Sequence, residues 1–501
     1  MRTFAAMKKL RPLMFAGTGS DVGKSIIAAA FCRIFRQDGY RPAPFKAQNM
    51  ALNSFVTPDG LEIGRAQAVQ AEAAGVACSS DMNPVLLKPQ SDHTSQVVLN
   101  GKPVGNRDAY DYFRRDGREE LRTAVCQAYD RLSACFNPIV LEGAGSISEL
   151  NLRDSDIVNM PMAKHADADV ILVGDIDRGG VFASVYGSIA LQRPEDRRRI
   201  KGILINKFRG DIRLFEPGIK ILEDICGVPV VGIVPHFNDI HIEEEDSVSL
   251  ARKSMQRQQG KVNVAVILLR HLSNFTDFDV LEHDPRIHLF YTNNVDDIAH
   301  ADIIILPGSK STIDDLYELR RNGVANAVCQ ARRKGASVLG ICGGYQMMGR
   351  EVLDPHHVEG SLERMPGLGL LPVKTTMTAE KVTRRTNFEG KAYDGRGSVM
   401  QGYEIHMGET AALEDGLQRL NVLEDGKEEG FVIDGKCMGT YLHGILDNPA
   451  FVDFLLRPFA DKINEAHADF DYAAFKEEQY DKLADHVRRH VNMDLIYRIL
   501  Q

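Results

Sequence analysis

Two short stretches of this chain carry residue types whose order and spacing permit chemistry. In the first, Gly17-Thr18-Gly19-Ser20-Asp21-Val22-Gly23-Lys24-Ser25 follows an apolar run, Leu13–Ala16, and opens a helical one, Ile26 to Phe35. Glycines permit positive φ, so backbone N–H groups point inward at phosphate, and the helix N-terminus adds a favourable dipole. Strand, glycine loop and helix, in that order, are the context a phosphate-binding loop requires. Gly17, Thr18 and Gly23 then shape a nucleotide loop, Lys24 reaches the β- and γ-phosphates of ATP, and the Ser25 hydroxyl ligates Mg²⁺. The strict pattern puts glycine five residues before Gly23; Thr18 stands there and Gly17 lies one step early, so the loop is a variant. In the second stretch, Gly340-Ile341-Cys342-Gly343-Gly344-Tyr345-Gln346 follows the run Val338–Ile341. A thiol on a sharp strand-to-helix turn between small residues has the form of a nucleophile elbow, and a helix N-terminus favours the thiolate. Cys342 is the expected nucleophile, with the Gly343 N–H as an oxyanion donor.

Both stretches need strands to hold them. The apolar runs Leu13–Ala16, Ile139–Leu141, Val170–Val173, Ile203–Ile205 and Val230–Val234 lack polar alternation, as strands buried on both faces of a parallel sheet do. Charged, Ala-rich segments between them, Arg65 to Gly75 and Arg118 to Ser133, fit crossover helices. A second series, Val262–Leu269, Ile303–Leu306, Val338–Ile341 and Met438–Leu442, begins after a polar interval. The expected fold class is therefore α/β, with two doubly wound domains. Residues 1–250 form the nucleotide-binding unit, 251–260 a linker, 261–450 the thiol unit, and 451–501 a charged helical tail. The acidic run Glu243-Glu244-Glu245-Asp246 and the Gln/Arg-rich Ala251 to Lys261 mark the join.

Composition excludes other classes. The 501 residues are 44% hydrophobic and 26% charged with a net charge of -9, and no basic stripe suits nucleic acid. No apolar run approaches the ~20 residues that span a bilayer. Met1 to Leu13 has no signal-peptide core, and eight cysteines without a CxxC pair imply reduced thiols, so a cytoplasmic protein is expected.

The phosphate loop resembles that of dethiobiotin synthetase and its relatives, which also starts Gly-Thr and ends Val-Gly-Lys. As in that family, Glu142-Gly143-Ala144-Gly145 closes a strand, and the resemblance implies that Glu142 is a Mg²⁺ ligand facing the loop across the sheet crevice. Asn206-Lys207 ends the strand Ile203–Ile205, where those relatives read adenine. The elbow, followed about one hundred residues later by Tyr441-Leu442-His443-Gly444, is similar to the class I glutamine amidotransferases. That likeness makes His443 the base and Gly308, in Leu306-Pro307-Gly308-Ser309, the second oxyanion donor. Much of the class has a glutamate two residues after the histidine. Ile445 stands there, so the site is expected to work as a Cys–His dyad, with Asp447 as a candidate orienter.

The combination of these two units resembles the corrinoid amidases. The strings that carry it are Phe45-Lys46-Ala47-Gln48-Asn49-Met50-Ala51-Leu52-Asn53-Ser54, Glu62-Ile63-Gly64-Arg65-Ala66-Gln67, Asn83-Pro84-Val85-Leu86-Leu87-Lys88-Pro89, Gly174-Asp175-Ile176-Asp177-Arg178-Gly179-Gly180, Asn206-Lys207-Phe208-Arg209-Gly210-Asp211 and Ser273-Asn274-Phe275-Thr276-Asp277-Phe278. The resemblance implies four ATP- and glutamine-dependent amidations, at carboxylates b, d, e and g of adenosylcobyrinic acid a,c-diamide. The partners are then a corrinoid and glutamine, with neither nucleic acid nor membrane. One alternative is the sister amidase that makes the a,c-diamide; the Gln48-Asn49-Met50 region argues against it. Another is a partitioning ATPase of the MinD kind, which has a signature lysine where this chain has Gly17-Thr18-Gly19 and lacks an elbow cysteine domain.

Overall fold

The computed structural model describes residues 8–90, 94–108, 118–243, 257–359, 362–393, 399–463 and 470–501. Residues 1–7 of the N-terminal stretch, most of the acidic run, 251–256 of the expected linker and 464–469 of the tail lie outside the described residues. The first strand, Leu13–Gly17, sits inside a six-stranded sheet whose pairings are all parallel. Across the sheet the order is Val230–Pro235, Ile200–Phe208, Asp169–Asp175, Leu13–Gly17, Ile139–Glu142, Ala43–Phe45. Winding changes direction at the first strand, and open α/β sheets bind ligands at such a switch point. Five of these strands contain the apolar runs named above. The sixth, Ala43–Phe45, is a three-residue edge strand that includes Pro44, too short to show a pattern and tolerated only at an edge.

Helix Lys24–Gln37 covers one face of this sheet through Ile27, Phe31, Ile34 and Phe35. A second helix on that face comes from the far end of the chain. In the tail, Tyr472–His490 and Met493–Ile499 bury Leu483, Val487, Ile496 and Leu500 in the same core as Phe15 and Phe31. Backbone hydrogen bonds fix the arrangement: Asn492 N–H donates to Val231 O at 2.8 Å and Arg11 N–H to Leu500 O at 2.8 Å. The last two helices of the tail are therefore a structural part of the first domain, while Phe451 to Phe459 pack in the core of the second, a division the charged sequence does not reveal.

The second domain is built on five parallel strands in the order Ile287–Thr292, Val262–Ile267, Ile303–Leu306, Ser337–Ile341, Cys437–Thr440. Seven further strands, paired antiparallel except for Glu351–Leu353 on Val373–Gly390, extend the sheet to twelve, among them the long pair Val373–Gly390 and Met400–Ala412. The long pair is rich in Thr, Lys, Arg and Glu and only half-buried, which is why apolar runs do not mark it.

The two domains meet over buried charge. The Glu62 carboxylate accepts from Lys88 Nζ of its own domain at 2.7 Å and pairs with Lys381 of the other. Burial alone would raise the Glu62 pKa; the ammonium groups of Lys381 and Lys88 outweigh it and hold the carboxyl well below its usual range. Glu62→Gln leaves two buried ammonium groups without their anion and should cost about 3–5 kcal/mol, read as a lowered denaturation midpoint at neutral pH. Because the folded pKa is depressed, this stability is present above the unfolded value of about 4.3 and is lost as pH falls below it. The gap between parent and variant should therefore narrow in acid. An unchanged midpoint at neutral pH would show that the cluster does not hold the domains together.

Candidate active site

At the C-terminal end of the first strand the loop expected to bind phosphate is held in place on all sides. Thr18 N–H donates to Val173 O at 3.0 Å, and Gly17 O accepts from Ile147 N–H at 3.1 Å. Gly23 caps helix Lys24–Gln37 with φ 92°, a left-handed conformation that suits glycine. A Cβ there would also stand 2.2 Å from Asn206 Nδ2. Asn206 approaches this closely because its amide donates to Val22 O at 2.9 Å, tying the strand Ile200–Phe208 to the loop. Lys24 Nζ donates to Gly19 O at 2.9 Å and Gly145 O at 3.1 Å, so its ammonium lies across the loop it is expected to serve.

Glu142 ends the neighbouring strand and is fully enclosed. Its carboxylate accepts from Ser25 Oγ at 2.8 Å, Lys46 Nζ at 2.8 Å and Gln70 Nε2 at 2.7 Å. Burial raises its pKa, but Lys46 and these hydrogen bonds overcome that and keep it ionised. A hydroxyl in the first turn of a helix and an ionised carboxylate at the neighbouring strand end suit Mg²⁺, which takes one or two protein oxygens and completes its shell with water and phosphate.

Above these residues opens a cavity of about 1320 Å³ lined by Gly23, Lys24, Ser25, Glu142, Asn206 and Gln48, among others. Ligand pockets usually measure ~300–1,000 Å³. This one has room for a nucleotide and a second, large substrate. Gly17 and Thr18 are not among its lining residues; Ser20 and Asp21 are.

In the second domain the chain turns sharply at Cys342, which takes φ 52° and ψ -113° between strand Ser337–Ile341 and helix Gly343–Met348. Such backbone strain is found at functional turns. Gly344 makes the turn possible, since a Cβ there would lie 1.9 Å from Leu306 O. The Cys342 thiol donates to Ile405 O at 3.4 Å and also faces His443. The glycines expected to supply oxyanion donors lie near the site. A Cβ on Gly308 would lie 3.7 Å from His443 Cε1, and one on Gly343 would lie 2.8 Å from Ser309 N.

The expectation of a dyad is corrected here. His443 Nδ1 is 2.6 Å from Asp277 Oδ2, and the other oxygen of Asp277 accepts from Gly444 N–H at 3.2 Å. Burial lowers the imidazole pKa, but Asp277 and Cys342 raise it to about 10. With Nδ1–H engaged by the carboxylate, Nε2 is left to accept the thiol proton. Asp447, the candidate orienter, makes no hydrogen bond to His443 among the described residues, and burial pushes it up to about 7. The position after the histidine is apolar because the third member comes from 166 residues upstream, in the loop after the domain's first strand. The string Ser273–Phe278 contained the signal, an aspartate on a loop beside a strand end, but nothing local links it to His443.

That loop also touches the first domain. Ser54 N–H donates to Asn274 Oδ1 at 3.1 Å, and Phe275 N–H donates to Asn53 Oδ1 at 3.2 Å. Phe55 stacks edge-on against Tyr403 at 4.9 Å, and Tyr403 lies flat on His443 at 5.2 Å.

Two family models match the chain. Residues 13–250 match the CobQ/CobB/MinD/ParA nucleotide binding domain, and residues 263–451 match the CobB/CobQ-like glutamine amidotransferase domain. A nucleotide-binding domain joined to a glutamine amidotransferase domain defines the class: an ATP-dependent ligase that amidates with nitrogen taken from glutamine. The cobyric acid synthase of Bacteroides fragilis is 72% identical over 494 residues, 98% of this chain and 99% of that protein. Those of Phocaeicola vulgatus and Klebsiella pneumoniae are 68% and 47% identical, each covering 98% of this chain and 99% and 98% of their own lengths. The chain belongs to the cobyric acid synthase family, amidating ligases of cobalamin biosynthesis.

Proposed function

We propose that this enzyme amidates carboxylates b, d, e and g of adenosylcobyrinic acid a,c-diamide in the cytoplasm, with ATP bound at the loop around Lys24 and ammonia released from glutamine at Cys342. The observation that carries the thiol half is the Asp277–His443 contact at 2.6 Å beside Cys342. Asp277 holds the imidazole in the tautomer whose Nε2 takes the thiol proton. Cys342 then attacks the side-chain amide of glutamine, and the N–H groups of Gly308 and Gly343 stabilise the oxyanion. Collapse expels ammonia, to which His443 returns the proton, and water hydrolyses the γ-glutamyl thioester.

In the first domain a carboxylate must be activated before ammonia attacks, because a carboxylate is a poor electrophile. Lys24 stabilises charge on the β- and γ-phosphates, Asn206 keeps the loop closed beneath them and meets the adenine side of the cavity, and Ser25 with Glu142 would hold Mg²⁺. When bound, that ion neutralises phosphate charge. Gln48 and Asn49, on the cavity wall, belong to the corrinoid side.

Lys24→Met tests this half. Loss of a preorganised cation at the transferred phosphoryl group should lower amidation about 10²–10³-fold with glutamine and with ammonium salt alike. A loss seen only with glutamine would sink the assignment. The reaction itself is tested by incubating the protein with ATP, Mg²⁺, glutamine and the a,c-diamide and following product mass. Four successive replacements of hydroxyl by amino group are expected, and a product that stops short of four overturns the substrate assignment.

A further inference from the structure

Lys310 is placed beside the thiol site and is used by none of the chemistry above. The strand Gly308–Ser309 pairs with Leu272–Ser273, and Lys310 N–H then donates to His271 O at 3.0 Å. The side chain thus starts two residues beyond the Gly308 donor. It is only 7% exposed. Among the described residues its ammonium has no hydrogen-bond or ion-pair partner. A buried ammonium without an anion is strongly unfavourable.

The charged groups it senses are Glu359, Lys88, Glu62 and the Cys342 thiol. Glu62 is already engaged by Lys88 and Lys381. Burial pushes the Lys310 amine down and Glu359 is the charged group that most offsets it, so an anion brought to the nitrogen would keep its proton on. The thiol is the only reacting group in this set. Lys310 directly follows the Gly308–Ser309 strand, and Gly308 lies beside His443, so the ligand of this site should carry an amide at one end and an anion at the other.

We propose that Lys310 binds the α-carboxylate of glutamine and so selects an amide that is the side chain of a free amino acid. This rests on Cys342 being the nucleophile toward glutamine. A lysine suits the role: its compact charge on a flexible stem neutralises a carboxylate without imposing the two-point fork of arginine.

The test uses the full-length protein and two probes, L-glutamine and L-glutamine α-amide, in which a neutral carboxamide replaces the α-carboxylate. The parent should hydrolyse glutamine with kcat/KM about 10- to 100-fold above the α-amide. Lys310→Met should raise KM for glutamine by a similar factor, leave the α-amide nearly unaffected and so erase the preference; Lys310→Arg should restore part of it. Amidation with ammonium salt, which bypasses the thiol site, reports whether each variant has folded. A Lys310→Met enzyme that keeps the preference overturns the proposal. If that variant does not fold, the parent's own ratio decides, since no preference for glutamine over its α-amide overturns it equally. A parent that hydrolyses neither amide, yet amidates with ammonium salt, overturns the assignment of the thiol site itself.

Discussion

Cys342→Ala should lose glutamine-driven amidation by about 10⁶-fold, the cost of removing a nucleophile that acts as one unit with its base. Amidation driven by ammonium salt at alkaline pH should continue close to the parent rate. The two outcomes separate because the thiol lies in the second domain while the cavity with Lys24, Ser25 and Glu142 is built by the first. Replacing a sulfhydryl with a methyl-sized side chain at the elbow keeps the turn, since the strain at φ 52° belongs to the backbone and is already present. Following product formation with each nitrogen source, on one preparation, decides the matter. Retained glutamine use would remove Cys342 from the mechanism, and loss with both sources would mean that the elbow supports the synthetase half as well.

For Asp277→Asn the expected fall in glutamine hydrolysis is about 10³–10⁴-fold, with ammonia-driven amidation preserved. An asparagine amide can donate to Nδ1 and so drives the imidazole proton to Nε2, the nitrogen that must accept from Cys342. Its remaining oxygen can still accept from Gly444 N–H, so the loop keeps its anchor. Asp447→Asn, by contrast, should stay within a few fold of the parent, because Asp277 and not Asp447 occupies Nδ1. The reverse ranking of these two variants would overturn the triad. Stability offers a second readout. The folded His443 value of about 10 lies above the unfolded one of about 6.5, so the Asp277–imidazolium pair contributes fully below pH 6.5. That contribution is lost as pH rises through 10. Asp277→Asn should therefore be destabilised near neutral pH and converge on the parent in strong alkali.

Much of this protein is set by local sequence. Buried parallel strands must be apolar on both faces, so Leu13–Ala16, Ile203–Ile205 and Ile303–Leu306 announce themselves without any knowledge of their neighbours. The phosphate loop and the elbow are contiguous because each is a single strand–turn–helix whose backbone does the positioning, and Lys24, Ser25, Cys342 and Gly343 are legible for that reason. The half-buried strands Val373–Gly390 and Met400–Ala412 escape notice because a strand with one wet face can be filled with Thr, Lys and Glu.

What only the tertiary structure decided are the pairings that no spacing encodes. Asp277 reaches His443 across 166 residues because two loops meet at one end of a sheet, and a carboxylate can be supplied from any element that ends there. The charged tail closes the first domain because Leu483, Val487 and Ile496 face its core while the charges face outward, an allocation visible only once the helix has a neighbour. Nothing in the sequence around Glu62 or Lys310 marks either side chain as buried. Burial turns the first into an interdomain anchor and the second into a cation in need of an anion, since the energy of a charge depends on what surrounds it and not on its place in the sequence.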